Sequence, residues 1–370
     1  MAGNVLTDYQ IRQYRPGDRD GVLALDSLVW DRDRGADWLD WKYRQNPYVD
    51  HTPLFVVRND GEVVGARPFM AFEMRTNGGT VLALQPSDTM VHPEHRRRGV
   101  FTRMTEHAIE YYQGTNADFF FNFPNEASLP GYEKLGWRQI DDKRTYYRVQ
   151  HPESLAPEYV NSDVARVLGV LFGPLLRNYY DRRGASSDPD SDVYVEVTPG
   201  LAVDELVELY ERRPPDAIHA HRTRRFYEWR FDSPVWSRST YVAREDGDQV
   251  AALIVRTRRT SDAVTITQIV DIVPMTGGQA WETALSHLFD AVLDDHRSSD
   301  LIAITGTVVP AELLKTYGFR PDDRLPLSSF SGHRCTLVSR PVDGVSWTLD
   351  DRTLDDAGNW TLTYAERDTT

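Results

Sequence analysis

Thr89-Met90-Val91-His92-Pro93-Glu94-His95-Arg96-Arg97-Arg98-Gly99-Val100-Phe101-Thr102 is the stretch on which the reading of this chain turns. The apolar run from Thr80 to Val91 reads as a strand. From Gly99 to Gln113 the residues Met104, Ala108, Ile109 and Tyr112 recur at helical spacing. Between strand and helix lies a short loop with three successive arginines, closed by a glycine. Such a turn aims free backbone N–H groups and the positive end of a helix dipole at one point, the arrangement that holds a pyrophosphate. Gly99 lets the main chain approach a phosphate closely, and Arg96, Arg97 and Arg98 add charge-assisted contacts. The plain alternative for the arginines is a solvated turn balancing an acidic surface; the adjoining glycine and helix favour phosphate.

Outward from this stretch the pattern is mixed. Asp18–Val29 and Asp37–Arg44 read as helices, the second closed by Asn46-Pro47. Leu54–Arg58 and Glu62–Met74 read as strands joined by Asn59-Asp60-Gly61, a hairpin signal. Downstream, Asp118–Phe123 is a short apolar strand whose phenylalanines are best read as buried core. A helix to Leu135 and strands from Trp137 to Gln150 follow. The class implied is α/β in the α+β sense, a mixed and mostly antiparallel twisted sheet flanked by helices.

Two motifs in this order resemble the GNAT (Gcn5-related) N-acetyltransferase superfamily, over about residues 8–150. The family's coenzyme A motif, Arg/Gln-x-x-Gly-x-Gly/Ala, is met by Arg96-Arg97-Arg98-Gly99-Val100 and departs at Phe101, where a small residue is usual. Its second signature, an Asn followed seven residues later by Tyr and then Gly-Phe, is met by Asn125, Tyr132, Gly136 and Trp137. The resemblance implies acetyl-CoA as cosubstrate and no metal. The backbone of Thr89, Met90 and Val91 would pair with the pantetheine arm, and the amides from Arg97 through Val100 and Phe101 to Thr102 would cradle the pyrophosphate. The Val91 N–H would stabilise the oxyanion, Asn125 would orient the helix start or the cofactor, and Tyr132 would protonate the departing thiolate. Relatives often carry a glutamate base where this chain has Gln85 or Phe120. The base then falls to Asp88, Glu94 or His92, with Asp88 ranked first; a strand-end hydrogen-bonding role for Asp88 is equally open. The implied activity is N-acyl transfer to an amine by direct attack in a ternary complex. A non-catalytic coenzyme A-sensing or structural module and an aminoacyl-tRNA-dependent transferase are the alternatives.

The first half recurs. Trp41-Lys42-Tyr43-Arg44 is echoed by Trp229-Arg230-Phe231-Asp232, Phe55–Gly61 by Tyr241–Gly247, and Leu135-Gly136-Trp137-Arg138 by Tyr317-Gly318-Phe319-Arg320, at offsets of 188, 186 and 182. Three collinear echoes argue for duplication. The expected organisation is two tandem domains of this kind: a catalytic one at 1–150, a helical connector and polar linker at 151–193, a degenerate copy at 194–340 and a C-terminal extension at 341–370. The copy is degenerate because Ile272–Gln279 stands opposite the arginine loop and Leu314 opposite Tyr132.

Composition bounds the rest. The chain has 370 residues, a net charge of -14, one cysteine, and only four lysines against 38 arginines. Strong negative charge opposes nucleic-acid and anionic-membrane partners and counts against the tRNA alternative. Lone Cys335 reads as a small core residue and suits a reducing compartment, so a cytoplasmic location is expected. His92, His95, His219 and His221 read as structural or solvent-exposed rather than metal ligands. An Asp-rich, Lys-poor chain is what concentrated salt or a high-GC genome favours, and the first is the reading taken. The expected partner is a small-molecule or peptide amine, with a homodimer left open.

Overall fold

The computed structural model describes residues 9–31, 34–151, 154, 191–261, 263–306, 308–324 and 335–368. Most of the expected connector and linker at 151–193 lies outside these residues. Among them no helix is long and apolar enough to cross a membrane.

The first half begins with β1 (Gln10–Gln13), α1 (Arg19–Trp30) and α2 (Ala36–Leu39), which runs on into one π-helical turn over Asp40–Arg44. The hairpin of β2 (Leu54–Asn59) and β3 (Glu62–Arg75) follows. Its turn holds Asp60 at φ 49° and Gly61 at φ 85°, the two left-handed positions that match the twist of paired strands. The long strand expected from Thr80 to Val91 is two strands, β4 (Thr80–Pro86) and β5 (Met90–Val91). Next come α3 (Val100–Gln113), β6 (Ala117–Asn122), α4 (Leu129–Lys134), β7 (Arg138–Asp142) and β8 (Thr145–Val149).

The second half repeats this order. It comprises β9 (Tyr194–Pro199), a helix at Val203–Arg212, the short β10 (His219–Ala220), a helix at Arg224–Arg230 and the hairpin β11 (Ser237–Glu245) and β12 (Asp248–Arg259). Then come β13 (Thr265–Val273), a helix at Gln279–Asp295, β14 (Leu301–Thr305), a helix at Ala311–Thr316, β15 (Arg320–Pro321) and β16 (Thr336–Pro341). The second hairpin turn repeats the first, with Asp246 at φ 52° and Gly247 at φ 90°.

The two sheets exchange a strand. One runs β1-β2-β3-β4-β6-β16-β7 and the other β9-β11-β12-β13-β14-β8-β15, so the orders match strand for strand once β8 and β16 are exchanged. Strand β8, within 1–150, pairs with β14, and β16, near the end of 194–340, pairs with β6 and β7. Each half therefore completes the other's sheet. Strand periodicity reports which face a residue occupies and says nothing about which sheet accepts the strand, so a reading along the chain assigns β8 to its neighbours.

The inner faces of both sheets share one core, with Met70 and Phe72 from β3 and Ala252 and Ile254 from β12. At its middle the first echo meets itself: Trp41 Nε1 donates to the Trp229 carbonyl at 2.7 Å and Trp229 Nε1 donates to the Trp41 carbonyl at 3.0 Å. A reciprocal contact of this kind marks a two-fold relation between the halves. The extension at 341–370 packs on both of them. Trp360, Leu362 and Tyr364 are buried, Ile218 bridges to Trp360, and Gln85 Nε2 donates to the Glu366 carbonyl at 2.6 Å. On its outer face the first sheet carries α3 and α4 over Phe69, Ala71, Leu84 and Phe120.

Candidate active site

The site is set by the break between β4 and β5. Strand β3 pairs with β4 up to Phe69 opposite Pro86, and with β5 from Ala66 opposite Met90. Between them Arg67 and Pro68 face three residues, Ser87, Asp88 and Thr89, which is a bulge that bends the strand. Strand β4 runs parallel to β6 only over Leu82–Leu84, so beyond Leu84 the two part and leave a wedge. The His92 N–H donates to the Val64 carbonyl at 2.9 Å. Hydrogen-bonded and non-bonded pairs alternate in an antiparallel ladder, so the Val91 N–H and carbonyl point away from β3, toward the wedge. Met90, bonded to β3, turns its side chain into the inner core.

After β5 the loop closes on itself. Arg96 Nε donates back to the Val91 carbonyl at 3.2 Å, and the His92 ring accepts from the Glu94 N–H at 3.3 Å. Arg97 stands at φ 60° and Gly99 at φ 76°, both left-handed, and Arg97, Arg98 and Thr102 are exposed. Gly99 caps α3 and has no side chain to satisfy the first turn's amides. A Cβ on Gly99 would meet no protein atom within 4 Å, so the main chain is uncovered at that point. Val100 is buried against Met104 and Val57.

The second motif lies on the far side of the wedge. The Asn125 side chain accepts from the Ser128 N–H at 2.9 Å and its carbonyl accepts from the Leu129 N–H at 2.9 Å, so Asn125 starts α4. Tyr132 is buried between Phe101 and Trp137, with ring centroids at 5.5 and 5.2 Å. The departure at Phe101 is absorbed locally: a Cβ on Gly131 would come within 2.7 Å of the Phe101 ring, so the glycine in α4 makes room for it. The Tyr132 oxygen accepts from Arg67 Nη1 at 2.8 Å, and the same nitrogen donates to Thr89 Oγ1 at 2.6 Å. Tyr132, Thr89 and the bulge are thereby one cluster, joined by a residue the motifs do not contain. An arginine inside the apolar run Val63–Met74 was the only signal for it.

Asp88 is placed otherwise than a proton acceptor requires. Its carboxylate accepts from Arg34 Nη1 at 2.9 Å and from the Tyr43 hydroxyl at 2.7 Å, and it is paired with Lys42, which is itself wholly buried. Burial alone would raise its pKa, but Lys42 and Arg34 outweigh it and hold Asp88 well below the usual carboxylate range. The second half keeps the same pair, Arg222 with Asp271 at 2.9 Å, although it lacks both the arginine loop and a tyrosine opposite Tyr132. The Arg–Asp pair therefore belongs to the fold. Asp88→Asn is expected to cost about 3 kcal/mol, read from the urea midpoint, because two buried cations, Arg34 and Lys42, lose the carboxylate they share and are left with Asp26 and Asp368. It should leave the pH dependence of turnover unmoved. Gln85 and Phe120 are likewise committed, Gln85 to the tail and Phe120 to the core under α3.

Asp26, on α1, borders this cluster. Its Oδ1 lies 3.5 Å from Arg34 Nη1 and its Oδ2 is buried without a partner. Burial first, and the Asp88 charge after the opposing pull of Arg34, raise its pKa to about 6. A carboxyl raised in the folded state favours folding while protonated, and that contribution is lost as pH climbs from about 4 through 6. Asp26→Asn should therefore be more stable than the parent at pH 8 by about 2 kcal/mol. Chemical denaturation across pH checks this: the gain should shrink below pH 6 and vanish near pH 4.

The comparisons with known proteins bear on the fold that carries this geometry. A family model described as an acetyltransferase (GNAT) domain matches residues 10–140. A search of curated proteins finds no match in sequence. Among solved structures the chain is similar to a GCN5-related N-acetyltransferase from Anabaena variabilis ATCC 29413, at 13% identity and TM-score 0.57, covering 90% of this chain and 73% of that one. It is similar to another from Kribbella flavida, at 14% identity and TM-score 0.55, covering 91% and 71%. A conserved protein of unknown function from Enterococcus faecalis V583 matches at 10% identity and TM-score 0.62, covering 90% and 72%. At such identities the likeness is one of fold. Residues 10–140 of this chain thus match an acetyltransferase (GNAT) domain, set in a chain that shares the fold of GCN5-related N-acetyltransferases along most of its length.

Proposed function

We propose that the chain is an N-acyltransferase that moves an acetyl group from acetyl-CoA to an amine by direct attack in a ternary complex. One observation carries the reading. Tyr132 and Thr89 share a single Arg67 nitrogen, so the phenol sits beside the strand whose Val91 N–H, two residues on, is turned into the wedge. An acid for the leaving group and a donor for the oxyanion are thereby within one site.

The site's features fit acetyl-CoA, which supplies the acetyl thioester. The outward edge of β5 pairs with no strand among the described residues, so an extended arm can add there once Arg96 gives up the Val91 carbonyl, and the wedge gives it room. The start of α3, uncovered at Gly99, and the amides from Arg97 to Thr102 suit a pyrophosphate. The Val91 N–H would hold the oxygen that gains charge as the amine attacks. Tyr132 would give its proton to the sulfur; a free thiol ionises near a pKa of about 8.5, so this is an aid to departure and not the main source of rate. With Asp88 engaged, the acceptor would arrive neutral or lose its proton to Glu94, to His92 or to water.

Isothermal titration with acetyl-CoA, paired with release of free thiol over a panel of sugar, aminoglycoside-type, peptide and lysine amines, tests the reading. Binding together with amine-dependent thiol release is expected. Absence of heat at millimolar acetyl-CoA would overturn it.

A further inference from the structure

The geometry points to Arg67 as a positioning residue for Tyr132. It holds the phenol oxygen so that the phenol's own hydrogen is left for the departing sulfur, and it sets an uncompensated positive charge where acyl transfer creates a negative one. The inference rests on the acyltransferase reading above and deepens it.

Hydrogen-bond direction is the first argument. A guanidinium has donors only, so at 2.8 Å the Tyr132 oxygen must accept from Nη1. Nη1 carries two hydrogens, and its second goes to Thr89 Oγ1 at 2.6 Å. The Tyr132 hydroxyl hydrogen is thereby kept for some other acceptor. As the carbon–sulfur bond breaks, its electron pair goes to sulfur and that hydrogen follows as a proton, giving the free thiol. The phenolate oxygen left behind keeps the Arg67 hydrogen bond until water returns a proton.

Charge balance is the second. Arg67 is wholly buried, its Nε and Nη2 have no hydrogen-bond partner, and among the described residues no carboxylate pairs with it. The buried Arg34 and Arg222 each sit against carboxylates. Around Arg67 there are rings instead, Tyr132 at 5.0 Å and Phe69 and Phe101 at 5.4 Å, which offset only part of the cost of burying a cation. A buried cation without a counter-charge suits a site that meets negative charge only during reaction.

The third argument comes from the chain's own second half. Arg67 lies opposite Phe55 across the first hairpin, and Leu253 lies opposite Tyr241 across the second. Phe55 and Tyr241 are equivalent in the repeat, so Leu253 stands where Arg67 stands. Tyr132 and Leu314 are each the fourth residue of their short helices, α4 and Ala311–Thr316. Where the tyrosine is gone, the arginine is gone. Residues the fold needs are kept in both halves, as Arg34 with Asp88 and Arg222 with Asp271 are. The Arg67–Tyr132 pair follows the other rule, that of a site.

Arg67→Leu copies the second half and is the test. Thiol-release kinetics should show kcat reduced about 30-fold or more, with acetyl-CoA affinity by titration within about threefold of the parent. Arg67→Lys, which keeps a donor and the charge, should recover about tenfold of that loss. The Arg67→Leu/Tyr132→Phe double variant should be no slower than Tyr132→Phe alone, within about threefold, because one residue acts through the other. Losses that multiply in the double variant, or a kcat for Arg67→Leu within about threefold of the parent, overturn the proposal. Should Arg67→Leu not fold, Arg67→Gln with Arg67→Lys gives the same comparison. The parent protein separates the two failures: if it releases no thiol with any amine, the acyltransferase reading falls first and this inference with it.

Discussion

Tyr132→Phe is expected to lower kcat for acyl transfer about 100-fold at neutral pH while leaving acetyl-CoA affinity unchanged within about threefold. The argument is geometric. The ring is held by Phe101 and Trp137, and phenylalanine keeps both contacts, so the fold loses only the hydroxyl. That hydroxyl is the group placed beside Thr89 and the bulge by Arg67. The deficit should narrow above a pH of about 8.5, where a coenzyme thiolate is itself the stable form and needs no proton. Rates over pH 6.5–9.5 with a fixed amine, corrected for the amine's own ionisation, check this. A deficit of equal size at every pH would show that Tyr132 contributes position and not a proton.

Gly99→Glu is expected to weaken acetyl-CoA binding about 100-fold or more, equivalent to roughly 3 kcal/mol by titration calorimetry. Two effects add. At φ 76° any side chain costs about 1–2 kcal/mol of backbone strain, which the loop relieves by leaving the conformation that presents its amides. The carboxylate then sits at the positive end of α3, where it competes for those amides and repels a diphosphate. Gly99→Ala separates the two, with a loss of about tenfold from strain alone. Because a Cβ at Gly99 meets no protein atom within 4 Å, neither variant should disturb the core, and melting temperatures close to the parent's are expected. Unchanged affinity in Gly99→Glu would remove the phosphate from this loop.

Much of this was written in short-range pattern. The hairpin turn is specified by Asp60-Gly61 and again by Asp246-Gly247, because two successive left-handed residues admit few alternatives. Helix α3 and the start of α4 follow from apolar spacing and from Asn125, whose cap is a contact three residues long. The duplication was legible too, since Trp41 and Trp229 stand in matching segments and meet each other.

Other features depend on segments distant in the chain. Asp88 sits beside the motif in sequence and looks available. Its partners Arg34, Lys42 and Asp368 come from 54, 46 and 280 residues away. The exchange of β8 and β16 is of the same kind, for an edge strand's alternation suits either sheet equally. Arg67 was hidden because a buried cation in an apolar strand has no local meaning until its neighbours are known.

The elements, the repeat and the arginine loop that leads into a glycine-started helix were readable along the chain, because turns, caps and periodicity act over a few residues, where the covalent chain enforces proximity. Tertiary structure decided which sheet each terminal strand completes, that Asp88 is an ion-paired support, and that Arg67 joins Tyr132 to the strand. Those outcomes depend on burial and on charges brought together from far apart in the chain, and a buried charge takes its meaning from what surrounds it.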